Sequence, residues 1–345
     1  MDELPLPPLP DRDPKGHKGT FGTVAILGGC ASTRPGTMRM IGAPVLSARG
    51  ALRAGAGLVR LLMPAPILDA GVAMLPSATG VSLAVDELGD VVNHLAATEL
   101  DRQVATSSVM VLGPGLGQGA HGTGGCAALV LRAVQQEEVP VVLDADGLNL
   151  LSGITEFWRD LRAQLILTPH PGEYRRLALA VGVEGDPVDA AARPRAAEML
   201  AQRLGAIVVL KGAGTVVSDG HRTWICRRGH ACMATGGTGD VLAGIIAGLI
   251  AQFARGNGES AVLAKIPEKF RAAMAALHEK VQVSKGALAG NGRPTLDLFE
   301  CARWGVELHG LAGERWAREN GEAGLLAHEL ADLLPVVMEE VRRSR

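Results

Sequence analysis

Short, almost wholly apolar runs recur along this chain, separated by stretches of mixed polarity. They fall at residues 23–29, 58–62, 107–112, 139–143, 164–168 and 206–210, and Val, Ile and Leu dominate them. A strand that is apolar throughout is covered on both faces, as in a parallel sheet, whereas alternation would mark a one-sided sheet. Residues 41–54, 124–136 and 194–204 read as helices, the last with Pro194 tolerated in its first turn. Residues 215–218 and 223–226 flank a turn at Asp219-Gly220 and predict a hairpin. Residues 241–251 are apolar apart from two glycines, but reach only about half of the ~20 residues that span a bilayer, so they predict a buried core helix. Helices over 301–317 and 325–341 close the chain. The pattern predicts an α/β fold, a mostly parallel central sheet with helices on both faces.

The first 14 residues are Pro-rich and acidic and read as a flexible tail, with no signal-peptide pattern. Residues 15–345 then form one domain. A charged stretch at about 255–300 interrupts it, with a helical middle at 267–283 and a Gly-rich end at 286–292. It reads as a surface insertion: a solvated helix or, alternatively, a lid or oligomer contact.

Composition sharpens this picture. Of 345 residues, 47% are hydrophobic and 3% aromatic, so the core is aliphatic. A net charge of -2 gives no basis for nucleic acid or an anionic membrane as partner. Five scattered cysteines suit a reducing compartment, here the cytoplasm, without a disulfide framework. His221, Cys226, His230 and Cys232 lie close in sequence but lack zinc-site spacing.

The chemistry-bearing motifs follow the apolar runs. In a parallel sheet, ligands bind beyond the carboxyl ends of the strands, so these motifs should share one edge. The loop 232–240 holds Thr235, Gly236, Gly237, Thr238, Gly239 and Asp240 and leads straight into the core helix. Helix N-termini bind anions and glycines admit a phosphate closely. Asp240 is the anomaly, a carboxylate in an anion site: either a charge on the first helical turn or a base for a hydroxyl being phosphorylated. Lys211, ending a strand before Gly212-Ala-Gly-Thr215, is a cation suited to phosphate. Asp144 and Asp146 could hold a hydrated Mg²⁺, or one could cap the next helix. His170 stands between two prolines with Glu173 after it, as a ligand contact or as part of a cap. Gly117 to Gly122 matches G-x-G-x-x-G and leaves a dinucleotide-binding turn open. A P-loop is excluded.

In order, these motifs resemble the ADP- or ATP-dependent NAD(P)H-hydrate dehydratases of the ribokinase-like superfamily. The resemblance runs through Lys18-Gly19 to Gly22 with Leu27-Gly28-Gly29; Gly42-Ala-Pro44 with Ala54-Gly-Ala-Gly57; Leu112-Gly-Pro-Gly-Leu-Gly117; Leu143-Asp-Ala-Asp-Gly-Leu-Asn149; Leu167-Thr-Pro-His-Pro-Gly-Glu173; Leu210-Lys-Gly-Ala-Gly-Thr215; Ala234 to Asp240; and Leu308-His-Gly-Leu-Ala-Gly313 with Gly324-Leu-Leu-Ala327. It covers nearly the whole chain. It implies a ribokinase-like fold and repair of hydrated NADH or NADPH: the S-form's ring hydroxyl is phosphorylated from ADP or ATP, and loss of phosphate restores the ring.

The resemblance also assigns roles. Asp240 would be the base, with the N–H groups of Gly237 and Gly239 steadying the phosphoryl group. Lys211, Gly212, Ala213, Gly214, Thr215, Thr238 and Gly239 would hold the nucleotide. Ala43, Gly113, Gly115, Gly117, His170 and Asp240 would line the hydrate pocket; Mg²⁺ at Asp144 and Asp146 is the reading of those two carboxylates themselves. It further implies ADP as the preferred co-substrate, a homotetramer, and a separate epimerase for the other epimer. Cys30 stands where the family has serine, and Glu314 where it has aspartate. A ribokinase-like kinase of a vitamin-precursor alcohol and a non-enzymatic dinucleotide sensor are the alternatives.

Overall fold

The computed structural model describes residues 4–117, 124–254 and 295–344. Their centre is a nine-stranded sheet in the order β3-β2-β1-β4-β5-β6-β7-β8-β9. The strands are β1 (Thr23–Leu27), β2 (Leu58–Pro64), β3 (Thr79–Leu83), β4 (Val109–Leu112), β5 (Val141–Leu143), β6 (Leu165–Leu167), β7 (Ile207–Leu210), β8 (Val216–Ser218) and β9 (Thr223–Ile225). All pairings from β3 across to β7 are parallel; β8 and β9 add an antiparallel hairpin at one edge. The order reverses between β1 and β4, the place where open parallel sheets open a crevice for ligands.

Ten α-helices are described: α1 (Gly42–Arg53), α2 (Ala65–Met74), α3 (Asn93–Val104), α4 (Gly124–Gln135), α5 (Asp146–Ser152), α6 (Pro171–Val181), α7 (Arg193–Leu204), α8 (Thr238–Phe253), α9 (Leu298–Asn320) and α10 (Ala327–Arg343). The sheet divides their packing by the two-residue period of its side chains. Val24, Ile26, Val109, Val111 and Val142 face a core with α1, α2, α8, α9 and α10. Ala25, Leu27, Met110, Leu112 and Leu143 face a second core with α3 to α7. This two-sided burial is why the strands read as unbroken apolar runs.

The expected core helix begins at Thr238, so Asp240 lies in its first turn. α8 packs closely on α1. A Cβ on Gly244 would sit 1.9 Å from the Ser47 carbonyl oxygen, an approach that only glycine permits. In the same seam Ser47 Oγ donates to the Asp240 carbonyl oxygen at 2.9 Å. Small residues thus bring the two helices together and lock the start of α8 to α1.

Residues 4–14, read from the sequence as a flexible tail, lie along α9 and α10. Leu9 is fully buried. Trp304 donates to Pro7 O at 3.0 Å, Arg342 to Pro10 O at 3.0 Å, and Arg303 to Leu4 O. Most of the stretch read as a surface insertion, with its helix at 267–283, lies outside the described residues, as does most of the G-x-G-x-x-G segment. No described helix is long and apolar enough to cross a membrane.

Candidate active site

Because the strands are parallel, their carboxyl ends and following loops share one edge. Leu27 leads to Gly28, Leu112 to Gly113, Leu143 to Asp144, Leu167 to Thr168 and Leu210 to Lys211.

At the middle of this edge stands an ion pair. Lys211 Nζ lies 2.6 Å from Asp144 Oδ1 and 3.9 Å from Glu173 Oε2. Thr168 Oγ1 donates to the same Asp144 oxygen at 2.7 Å. Asp144 is 1% exposed, and a buried carboxylate persists only when paired and hydrogen-bonded in this way. Burial alone would press the Lys211 ammonium down, but Asp144 and Glu173 outweigh it and hold its pKa above that of an ordinary lysine.

Lys211 also reaches the start of α8: its Nζ is 3.3 Å from the point where a Cβ on Gly239 would stand. Asp240 follows in that turn, partly buried. Burial pushes its pKa up to about 7; Asp144, Asp146 and Glu173 push the same way, and Lys211 opposes them. No described residue hydrogen-bonds the Asp240 carboxylate. A carboxylate that is half ionised near neutral pH and open to a ligand is poised to take a proton. Gly237, at φ 93°, caps the helix in a left-handed conformation and starts its free N–H groups. The Thr238 hydroxyl faces inward, within 3.1 Å of the Met233 and Thr235 carbonyl oxygens, so it braces the loop.

The expected hydrate-pocket residues gather beside the sheet's reversal point. A Cβ on Gly115 would contact Met40 and Ala43; one on Gly117 would stand 3.1 Å from Cys30 Sγ. Gly113, at φ 121°, leaves room for a tight turn: a Cβ there would be 1.8 Å from the Asp144 carbonyl oxygen. In that turn Ala145 takes φ 50°, a strain of about 1–3 kcal/mol. It sends Asp144 and Asp146 to different tasks. Asp146 Oδ2 accepts from Gly117 N at 2.9 Å, pinning the glycine loop. Cys30 bonds Met40 through both backbone groups, closing the loop between them.

His170 is first of all a helix cap. Its Nδ1 accepts from Gly172 N at 2.9 Å and Glu173 N at 3.3 Å, while Glu173 Oε2 accepts from His170 N, a capping box at the start of α6. Nδ1 is therefore unprotonated, and Nε2–H is left to face Glu173 Oε1 at 3.3 Å. Burial and Lys211 lower the pKa of the imidazole. The cap engages Nδ1 alone; Nε2–H makes no hydrogen bond among the described residues, so on this half-exposed ring it stays available to a ligand.

A cavity of ≈730 Å³ opens on the other side of Lys211. The predicted nucleotide residues Lys211, Gly212, Ala213, Gly214, Thr215, Thr238 and Gly239 form one wall. Sequence reasoning missed the opposite wall, where Met233, Leu242 and Val306 offer an apolar surface beside His309. His309 is half-buried, and desolvation pushes its pKa down to about 4, so it is neutral and its Nε2 donates to Thr238 O at 2.9 Å. The Leu308-His-Gly signal was present, without a role. Glu314 holds the same wall by accepting from Gly229 N at 3.0 Å.

Asp144 and Asp146 present hard oxygen donors, the chemistry Mg²⁺ takes. Each has an oxygen committed within the protein, which suits an ion completed by water and phosphate rather than a closed cage. Among the described residues no three His, Cys, Asp or Glu side chains group as a metal cage, the His221–Cys232 stretch included. There Cys226 lies 3.5 Å from Glu307 Oε2, and Cys232 donates to Gly313 O.

Sheet topology, strand-end loops and a carboxylate at a glycine-led helix start together define a ribokinase-like α/β protein. The chain belongs to the NAD(P)H-hydrate dehydratase family, whose model matches residues 25–336. It is 40% identical over 245 residues to the bifunctional NAD(P)H-hydrate repair enzyme of Salinibacter ruber, covering 70% of this chain and 42% of that protein. Against the Moorella thermoacetica enzyme of the same name it is 32% identical over 341 residues, 97% of this chain and 53% of the other. The chain thus spans about half the length of the curated relatives it matches. Among solved structures it resembles the Bacillus subtilis ADP/ATP-dependent NAD(P)H-hydrate dehydratase co-crystallised with ATP and Mg²⁺, at 26% identity and a TM-score of 0.67, covering 98% and 99% of the two chains.

Proposed function

We propose that this protein dehydrates the S-form of NADH or NADPH hydrate, consuming ADP in preference to ATP. The observation that carries the reading is the Asp240 carboxylate, raised to about 7 and open to a ligand, at the helix start beside Lys211. The ring hydroxyl of the hydrate gives its proton to Asp240 as its oxygen attacks the terminal phosphorus of the nucleotide; the phosphoanhydride bond behind that phosphorus breaks and AMP leaves (ADP where ATP is the donor). Gly237 and Gly239 N–H groups and the Lys211 ammonium stabilise charge on the phosphoryl oxygens, the main demand of this chemistry. Phosphate then leaves with the carbon–oxygen bond, a proton is lost from the neighbouring ring carbon, and the double bond returns.

The nucleotide occupies the cavity beside Lys211, its base against Met233, Leu242 and Val306. The hydrate lies towards Ala43, Gly113, Gly115 and Gly117, with the edge of His170 at its side. Asp144 and Asp146 would hold Mg²⁺, which supplies charge neutralisation on the phosphates. We place the enzyme in the cytoplasm as a homotetramer and pair it with an epimerase activity for the other epimer, a pairing that the bifunctional relatives support.

The test is incubation with the S-form hydrate, Mg²⁺ and each nucleotide. Reduced-nicotinamide absorbance returns fastest with ADP; no return with either nucleotide would sink the reading.

A further inference from the structure

Arg193 is a buried cation in the wrong place for its charge. It is 6% exposed, and no carboxylate among the described residues pairs with it. It begins α7, the positive end of the helix, where a cation is disfavoured. Burying an ion without a counterion is expensive, and burial accordingly lowers its pKa. The two terminal nitrogens of the guanidinium instead donate to backbone, while Nε has no partner among the described residues. NH1 donates to Ala213 O at 2.7 Å; NH2 donates to Leu210 O at 2.9 Å and Lys211 O at 3.1 Å. These three carbonyls belong to the strand end and loop that carry Lys211. Gly212 lies against the same guanidinium, where a Cβ would come within 2.8 Å of both terminal nitrogens.

Holding these carbonyls orients the rest of the loop. Thr215 Oγ1 closes it by donating to Gly212 O at 2.9 Å, and Gly212 N points back to that hydroxyl at 3.3 Å. The N–H groups of Ala213 and Gly214 have no partner among the described residues, and both residues line the ≈730 Å³ cavity. Two open N–H donors on one side of a loop, backed by a fixed positive charge on the other, make a cradle for anionic oxygen.

We propose that Arg193 is the positioning residue of the nucleotide site. It draws the carbonyls of Leu210, Lys211 and Ala213 away from the cavity, so that the Ala213 and Gly214 N–H groups meet the phosphates of a nucleoside di- or triphosphate. This rests on placing the nucleotide in that cavity. Arg193 touches neither the hydrate nor Asp240 and takes no part in the chemical step.

The experiment combines Arg193→Met and Arg193→Lys in the full chain with amide hydrogen exchange over residues 210–215, ADP and ATP binding without hydrate, and steady-state kinetics. In Arg193→Met, exchange in the loop rises with the melting transition still cooperative. Nucleotide Kd and KM rise about tenfold or more, while kcat at saturating nucleotide and KM for the hydrate stay within about twofold. Arg193→Lys keeps the charge but serves fewer carbonyls, and restores part of the loss; it also carries the test if the Met variant does not fold. Unchanged loop exchange with unchanged nucleotide Kd would overturn the clamp. A wild-type protein that binds neither nucleotide, its loop still ordered by Arg193, would overturn the placement of the nucleotide and with it the ligand half of this proposal.

Discussion

Asp240→Asn should make this protein more stable above neutral pH while removing its turnover. The wild-type carboxyl has a folded pKa of about 7 against 3.8 for an ordinary aspartate. Folding therefore favours the protonated acid. That contribution is fully present below pH 3.8 and is lost as pH rises through 7, because the folded protein must then hold a charge that the unfolded chain holds in water. The difference is about three pK units, or about 4 kcal/mol at most. Asp240 is only partly buried, and screening at the mouth of the site brings the figure to about 2 kcal/mol. Asparagine carries no such charge. Taking about 2.1 cal/mol/K per residue for the unfolding entropy, the variant should melt about 3 °C higher at pH 8.5 and the gap should close towards pH 4. Scanning calorimetry across pH 4–9 reads this directly. Turnover should fall by at least about 10²–10⁴-fold, the usual worth of a general base, with nucleotide binding kept. A melting difference that is flat in pH, or that favours wild type at high pH, would refute the raised carboxylate.

Three further outcomes follow from the same geometry. Lys211→Met leaves buried Asp144 without its cation and should cost about 3–5 kcal/mol, measurable by denaturant unfolding. It also removes the cation that, among the described residues, lowers the Asp240 pKa, so any residual activity should titrate at higher pH. In the wild type, kcat/KM should rise with pH through about 7 as Asp240 ionises, and a flat profile from pH 5 to 8 would contradict the base. Leu9→Ala should cost about 2–5 kcal/mol, since Leu9 is fully buried; a loss under about 0.5 kcal/mol would mean that the N-terminal stretch is loose after all.

How much of this was legible in the chain depended on burial. The strands from β4 to β7 and most of β1 and β2 could be read because both faces are covered, which leaves uninterrupted Val, Ile and Leu. β3 escaped because it is an edge strand, Thr-Gly-Val-Ser-Leu, with only Leu83 buried. α2 and α3, on either side of it, were missed with it. Residues 4–14 looked disordered because of their prolines. Their anchoring comes from Leu9 and from carbonyls bonded by Arg303, Trp304 and Arg342, and no local pattern encodes that.

The site divided in the same way. The motif-bearing loops after the recognised parallel strands could be placed on one edge from the sequence, since topology alone brings them there. The apolar wall of Met233, Leu242 and Val306 could not, because a loop after the hairpin and two helix flanks meet only through packing. Arg193 was equally silent, a helix-start arginine whose partners are backbone carbonyls. His170 carried two readings in sequence; Nδ1 caps α6, while Nε2 leaves the ligand-contact reading open.

The most direct measurement of the central claim counts two products at once: inorganic phosphate released and reduced nicotinamide formed from the S-form hydrate, with ADP and ATP in parallel, for wild type and Asp240→Asn. One phosphate per reduced nicotinamide, a requirement for nucleotide, and neither product above background in the variant are the expected results. Reduced nicotinamide formed without nucleotide consumption, or formed at wild-type rate by Asp240→Asn, would contradict the claim.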